Sequence, residues 1–203
     1  MVGENVLWLT SGGSAIPAQV AIMRELAGLL DEQLNNLLIL PVDERYGPPN
    51  HADSNTAQMR AAGFASGSAT WHDVLADDLP LDETIIRYQE LAKQTFDKAD
   101  LVIATLGIGS DGHTAGVLPD SPAASDETSF VISYQWADYA RLTLGLQLLR
   151  RIDHAFVLAY GEGKHDAIKR LRAHEEPLRT LPAVFLYDLP QVTVYNDYIT
   201  AEG

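Results

Sequence analysis

Between Ala99 and Pro119 the chain reads Ala-Asp-Leu-Val-Ile-Ala-Thr-Leu-Gly-Ile-Gly-Ser-Asp-Gly-His-Thr-Ala-Gly-Val-Leu-Pro. Leu101 to Leu106 is a short apolar run rich in branched residues, bounded by Asp100 and Gly107, which is the pattern of a strand buried on both faces. Gly107, Gly109 and Gly112 then make a loop whose backbone a ligand can approach closely. Within it lie a carboxylate, Asp111, and an imidazole, His113. Open α/β sheets place their active sites at the carboxyl ends of such strands.

Working outward, the same grammar recurs on both sides. Asn5 to Thr10 reads as a strand that ends in Ser11-Gly12-Gly13-Ser14, and a helix follows with Pro17 near its first turn and apolar residues at Val20, Met23, Leu26, Ala27 and Leu30. A strand, a Gly-Gly-Ser turn and a helix make either a plain βα turn or a phosphate cradle of backbone N–H groups. Leu37 to Val42 is a second strand, running into Asp43-Glu44-Arg45, which reads as charged loop at the strand's end. Ser54 has the chemistry of an N-cap for a helix through Ala62. Ala65 to Leu81 reads as irregular. Asp82 is the expected cap of a helix to Lys98, with Ile85, Tyr88, Gln89, Ala92 and Phe96 on one face.

Beyond the central stretch, Ser121 to Thr128 reads as polar loop, and Phe130 to Tyr134 and Ala140 to Leu144 read as strands. The second of these passes into a short helix ending at Arg150 and Arg151. Ala155 to Tyr160 is a further buried strand, ending in Gly161-Glu162-Gly163-Lys164 before a helix to Ala173. A lysine at a helix N-terminus opposes the dipole, which favours an anion beside it. Val184 to Leu186 is apolar, and Val192 to Tyr195 reads as a last strand. Strands alternating with helices predict one α/β domain, Rossmann-like, with a largely parallel sheet and helices on both faces. The loops at 11–14, 43–45, 107–113 and 161–164 are then expected to meet on one sheet edge.

Composition narrows the function. Fourteen Lys and Arg stand against 28 Asp and Glu, a net charge of −14 that repels nucleic acid and anionic membranes. A phosphorylated substrate therefore needs a local site, and Arg45, Arg141 and Lys164 are the basic residues at or near strand ends. There is no cysteine, which excludes disulfides and thiolate chemistry. No apolar run suits a bilayer span and no basic-then-apolar leader stands at Met1, so a cytoplasmic protein is expected. The histidines show no recognised metal-ligand spacing.

Ser-Gly-Gly-Ser at 11–14, Asp-Glu-Arg at 43–45 followed by Ser54-Asn55, and Gly107-Ile-Gly-Ser-Asp-Gly-His-Thr-Ala with Pro119 together resemble the 6-phosphogluconolactonases, which are related to glucosamine-6-phosphate deaminases. The resemblance implies hydrolysis of 6-phosphogluconolactone to 6-phosphogluconate in the pentose phosphate pathway, with no metal or organic cofactor. It implies that His113 is the general base with Asp111 beside it, and that Arg45 binds substrate or stabilises charge. Gly12, Gly13, Ser14, Arg141 and Lys164 would hold the phosphate, with Asp43 and Gly109 also among the substrate-binding positions. It also implies that Pro182 to Tyr187 is a short helix, where apolar content alone reads as strand.

Some residues depart from the pattern. The glycine loop is one residue longer before Pro17, Gly47 stands where Val is customary, and Gly116-Val117-Leu118 replaces Ser-Leu-Phe. The chain also begins at its first strand, whereas relatives commonly carry a helical segment before it. The deaminase family continues its Asp-Gly-His loop into Phe-Asn-Glu, whereas this chain has Ala115-Gly116-Val117-Leu118-Pro119 and no Glu there. A non-catalytic sugar-phosphate sensor would be expected to carry a basic DNA-binding segment, and none is present.

Overall fold

The computed structural model describes residues 3–137 and 139–198, with the side chains of 27–33 excepted. The strands in chain order are β1 (Val6–Thr10), β2 (Leu37–Pro41), β3 (Asp43–Arg45), β4 (Thr70–Trp71), β5 (Leu101–Gly107), β6 (Val131–Trp136), β7 (Tyr139–Leu144), β8 (His154–Ala159) and β9 (Gln191–Asn196). The helices are α1 (Ile16–Leu30), α2 (Asn55–Ala61), α3 (Leu81–Lys98), α4 (Leu146–Leu149) and α5 (His165–Ala173).

Six strands form one sheet in the order β4-β2-β1-β5-β8-β9, and every pairing in it is parallel. The chain moves outward from β1 through β2 to β4, returns to β5 on β1's other side, and moves outward again. That reversal between β1 and β5 opens a crevice at their carboxyl ends. Because Thr10 pairs with Thr105, the loops that leave β1 and β5 start side by side.

Strand alternation sorts side chains onto two cores. Leu7 and Leu9 of β1 pack with Tyr88, Ala92 and Phe96 of α3 and with Ala167, Ile168 and Leu171 of α5. Trp8 points the other way, into a cluster with Ile16, Val20 and Met23 of α1 and Met59 of α2. Helices thus cover both faces, as the periodicity predicts. Ala27 and Leu30 of the expected α1 face lie outside the described side chains.

The structure corrects three expectations. Asp43–Arg45 is not a loop. It is strand β3, paired antiparallel with β7 in a separate three-stranded sheet of order β3-β7-β6. The supposedly irregular segment 65–81 contains β4, two residues that extend the main sheet beside β2. Helix α3 is preceded by Pro80 rather than capped by Asp82. The Thr84 N–H donates to the Pro80 carbonyl at 2.8 Å, while Asp82 and Glu83 occupy the first turn, where the helix dipole favours them. Pro182–Asp188 is a 3-10 helix, as the family resemblance implies and against the strand reading of its apolar content. The expected Ser54 cap is present: its side chain accepts from the Ala57 N–H at 3.1 Å, worth about 1 kcal/mol.

Candidate active site

After β1 the chain turns through Ser11 and Gly12 into a 3-10 turn, Gly13–Ala15, that leads directly into α1. The loop is held from inside by Gln19, a fully buried amide. Gln19 Oε1 accepts from the Ser11 N–H at 2.9 Å and its Nε2 donates to the Ser11 carbonyl at 2.7 Å. A glycine at position 12 is a matter of space, because a Cβ there would stand 1.9 Å from Asn55 Oδ1.

After β5 the loop closes on itself through a bond from the Gly109 N–H to the His113 carbonyl at 2.9 Å and one from the Gly112 N–H to the Gly109 carbonyl at 3.0 Å. This brings the His113 imidazole over Asp111, with Nδ1 and Oδ1 2.6 Å apart, and the His113 N–H bonds the same oxygen at 3.1 Å. The imidazole bond holds the Asp111 carboxyl down at about 2, so it is ionised throughout the neutral range. An ionised carboxylate can only accept, so Nδ1 carries the proton and Nε2 is left with the basic lone pair. Gly109 leaves room for the ring, since a Cβ there would lie 2.1 Å from Nδ1.

From β2 the chain passes into β3, where Asp43, Glu44 and Arg45 divide their tasks. Glu44 is fully buried and takes no part in the cleft. Its carboxylate accepts from the N–H groups of Arg45 (2.8 Å), Asn55 (2.7 Å) and Thr56 (3.1 Å) and from the Ser54 hydroxyl (3.0 Å), so it caps α2. Burial pushes the Glu44 carboxyl up, and the four donors pull it back. Asp43 is also buried, with Arg141 Nη1 3.7 Å from its Oδ2. Arg141 is directly opposite Arg45 in the β3–β7 pairing, a juxtaposition of like charges that costs stability unless an anion or carboxylate lies near. Arg45 itself donates through Nη1 to the Asp53 carbonyl at 2.9 Å.

At the end of β8, Lys164 precedes α5, and its Nζ donates to Ser14 Oγ at 2.7 Å. Partial burial lowers its pKa. These elements enclose a cleft of about 210 Å³ lined by Gly12, Gly13, Ser14, Asp43, Arg45, Gly109, His113, Arg141 and Lys164, with Asn55 and Ser11 among the others. Three cations and one carboxylate therefore face it in a protein of charge −14. Three buried polar atoms on its wall have no hydrogen-bond partner: Ser11 Oγ, Asn55 Oδ1 and Arg141 Nε. Buried polar atoms without partners are expensive, and all three belong to residues that line the cleft. Among the described residues, no cluster of three His, Asp or Glu side chains could hold a metal.

Every site residue singled out in the sequence lines this cleft except Asp111, which stands behind His113. The reading overlooked Gln19, whose only signal was a polar residue on the buried face of α1. It also left Asn55 and Glu44 without roles, because a charge or amide in a turn-like stretch reads as solvated.

Residues 4–194 match a family described as glucosamine-6-phosphate isomerases/6-phosphogluconolactonase. The chain belongs to this family. Among members of the glucosamine-6-phosphate isomerase/6-phosphogluconolactonase family, it is 26% identical over 196 residues to the 6-phosphogluconolactonase of Mycobacterium tuberculosis, covering 89% of this chain and 77% of the relative. It is also 26% identical over 216 residues to a glucosamine-6-phosphate deaminase of Lactobacillus johnsonii, covering 98% of this chain and 85% of the relative. The crystal structure of 6-phosphogluconolactonase from Thermotoga maritima superposes with a TM-score of 0.76 at 20% identity, over 96% of this chain and 86% of that one, a likeness of fold. The family thus spans two chemistries, and the residues of the cleft must decide between them.

Proposed function

We propose that the chain hydrolyses 6-phospho-D-glucono-1,5-lactone to 6-phosphogluconate, as a single 6-phosphogluconolactonase-like domain over residues 1–203. The observation that carries this reading is that a Nδ1-protonated His113 and the Lys164 ammonium line the same cleft. The cleft thus offers a base together with a cation and a glycine loop, which suits a substrate that carries both a reactive carbonyl and a phosphate.

The chemistry follows from the tautomer. His113 Nε2 takes a proton from water as the water oxygen attacks the lactone carbonyl. The oxyanion that forms is met by positive charge from Arg45 and by loop N–H groups. As it collapses, the bond to the ring oxygen breaks, and the imidazolium returns its proton to that oxygen. Asp111 keeps the ring oriented and stabilises its charged form. The phosphate is held by Lys164, Arg141, Ser14 and the amides of Gly12 and Gly13, with Asp43 and Gly109 shaping the walls around the sugar.

Deaminase chemistry is the second reading, supported by the likeness to the Lactobacillus johnsonii protein. Against it, the residues after His113 are Thr114, Ala115, Gly116, Val117 and Leu118, with no carboxylate to assist ring opening. The reading includes a cytoplasmic setting and no nucleic-acid or membrane partner, in keeping with the acidic charge and a sequence without cysteine. No described helix is long and apolar enough to cross a membrane. The test is a coupled assay with fresh 6-phosphogluconolactone, its unphosphorylated analogue and glucosamine 6-phosphate. Acceleration of the first above spontaneous hydrolysis is expected. Ammonia release from the third, with no acceleration of the first, would overturn the proposal.

A further inference from the structure

Lys164 sits in a loop that packing does not hold. Gly161, Glu162 and Gly163 are exposed, and a Cβ placed on either glycine would meet nothing within 4 Å. Gly161 has φ +101° and ψ 143°, a conformation that only glycine adopts readily, and the Lys164 N–H closes the turn onto its carbonyl at 2.9 Å. Some other interaction must keep this turn in place.

That interaction comes from the edge strand. Asp197 directly follows β9, at the same carboxyl edge of the sheet as the cleft. Its Oδ2 and Oδ1 accept from the Gly161 N–H at 3.0 and 3.2 Å, and His165 Nε2 bonds Oδ1 at 3.1 Å. The His165 ring is also stacked on Tyr198, with centroids 4.6 Å apart and planes 21° from parallel. One carboxylate therefore grips the chain three residues before Lys164 and one residue after it. These donors hold the Asp197 carboxyl below the usual range, the sign expected of a carboxylate committed to its partners.

We propose that Asp197 is a positioning residue for phosphate recognition, clamping the 161–165 turn so that the Lys164 ammonium is held against Ser14 at the cleft. The inference rests on the reading that Lys164 holds the substrate phosphate. Asp197 touches no substrate. It reduces the freedom that the lysine would otherwise lose on binding, so its effect falls on affinity for the phosphorylated end and leaves the His113 chemistry alone.

The test compares wild type, Asp197→Ala, Asp197→Asn, Lys164→Ala and the Asp197→Ala/Lys164→Ala double variant on fresh 6-phosphogluconolactone and on the unphosphorylated lactone, with spontaneous hydrolysis subtracted. Asp197→Ala is expected to raise KM for the phosphorylated lactone about threefold to tenfold, the range of one lost hydrogen bond, with kcat unchanged. The unphosphorylated lactone is expected to show no change. Asp197→Asn, whose amide oxygen still accepts from the Gly161 N–H, should recover most of the loss. In the Lys164→Ala background the Asp197 substitution should add nothing further.

An unchanged KM in Asp197→Ala, where Lys164→Ala raises it, overturns the positioning role alone. An unchanged KM in Lys164→Ala overturns the phosphate reading and this inference with it. Equal losses on both lactones, or a fall in kcat, would show a general structural role and overturn the proposal. Asp197 is exposed, so folding is checked by melting temperature. Asp197→Glu, which displaces the carboxylate by one methylene, serves as the second variant and must also raise KM.

Discussion

The Lys164 ammonium donates a 2.7 Å hydrogen bond to the Ser14 hydroxyl, joining the loop after β8 to the loop after β1 across the carboxyl end of β5. Neither loop by itself makes an anion site in a protein of charge −14. Together they place a cation, a hydroxyl and the start of α1 around one point.

Replacing Lys164 with Ala should therefore raise KM for the phosphorylated lactone tenfold or more. A charge-assisted bond contributes about 1.5–3 kcal/mol, and its loss falls mainly on binding. Steady-state kinetics on both lactones checks this. Equal preference of the wild type for the unphosphorylated lactone would remove phosphate from the account altogether.

His113→Ala or His113→Asn should lower kcat by about 10²–10⁴ with little change in KM, as expected when a general base is removed. Hydrogen bonding to the imidazole holds the Asp111 carboxyl down at about 2, so it stays ionised through the neutral range and adds no step to the pH profile there. A variant that retains most of the wild-type kcat after subtraction of the background rate would assign water activation elsewhere.

Asp111→Asn should reduce kcat, since an amide can present its N–H and no longer dictates that Nδ1 holds the proton. It should also change stability with a definite sign. A carboxyl whose pKa is lowered on folding, from 3.8 to about 2, stabilises the fold above pH 4, and that contribution fades as pH falls toward 2. Asp111 is about half exposed, so solvent screening keeps the effect to about 1 kcal/mol or less. Melting curves of wild type and variant should differ at pH 7 and converge near pH 2; a constant gap would contradict the assignment.

Gly109→Ala provides a steric test of the same pair. The new Cβ would lie 2.1 Å from His113 Nδ1 and 2.7 Å from Asp111 Oδ1. Both atoms end side chains that can swing away, so the expected result is a loss of kcat approaching that of His113→Ala with a melting temperature within a few degrees of wild type. A large fall in melting temperature with normal kcat would mean that the ring keeps its place and the backbone yields.

Much of this was legible in the chain. The branched run at Leu101 to Leu106 announces a doubly buried strand because both its faces need apolar cover. Ser54 announces a cap because its hydroxyl matches an orphan N–H. The Gly-Asp-Gly-His loop announces chemistry because those residues at a strand's end serve no packing purpose. Asp43–Arg45 resisted such reading. Three charges in a row resemble a solvated turn, yet Glu44 is fully buried, because four donors from the start of α2 and its surroundings surround its carboxylate. Those donors belong to residues that only folding brings near.

By itself, then, the sequence determined the alternating elements and the apolar faces, which depend on local periodicity, and its resemblance to a family marked His113 and Lys164 as the candidate base and cation. The alternation of strands and helices also predicted that their loops meet on one sheet edge, while the tertiary structure decided which loops are neighbours and which side chains line the cleft. That outcome depends on strand order: β1 and β5 are neighbours with β2 on one side and β8 on the other, so loops distant in the chain leave the same sheet edge together. Strand order is set by which faces can be buried at once across the whole molecule, a condition that no local stretch encodes.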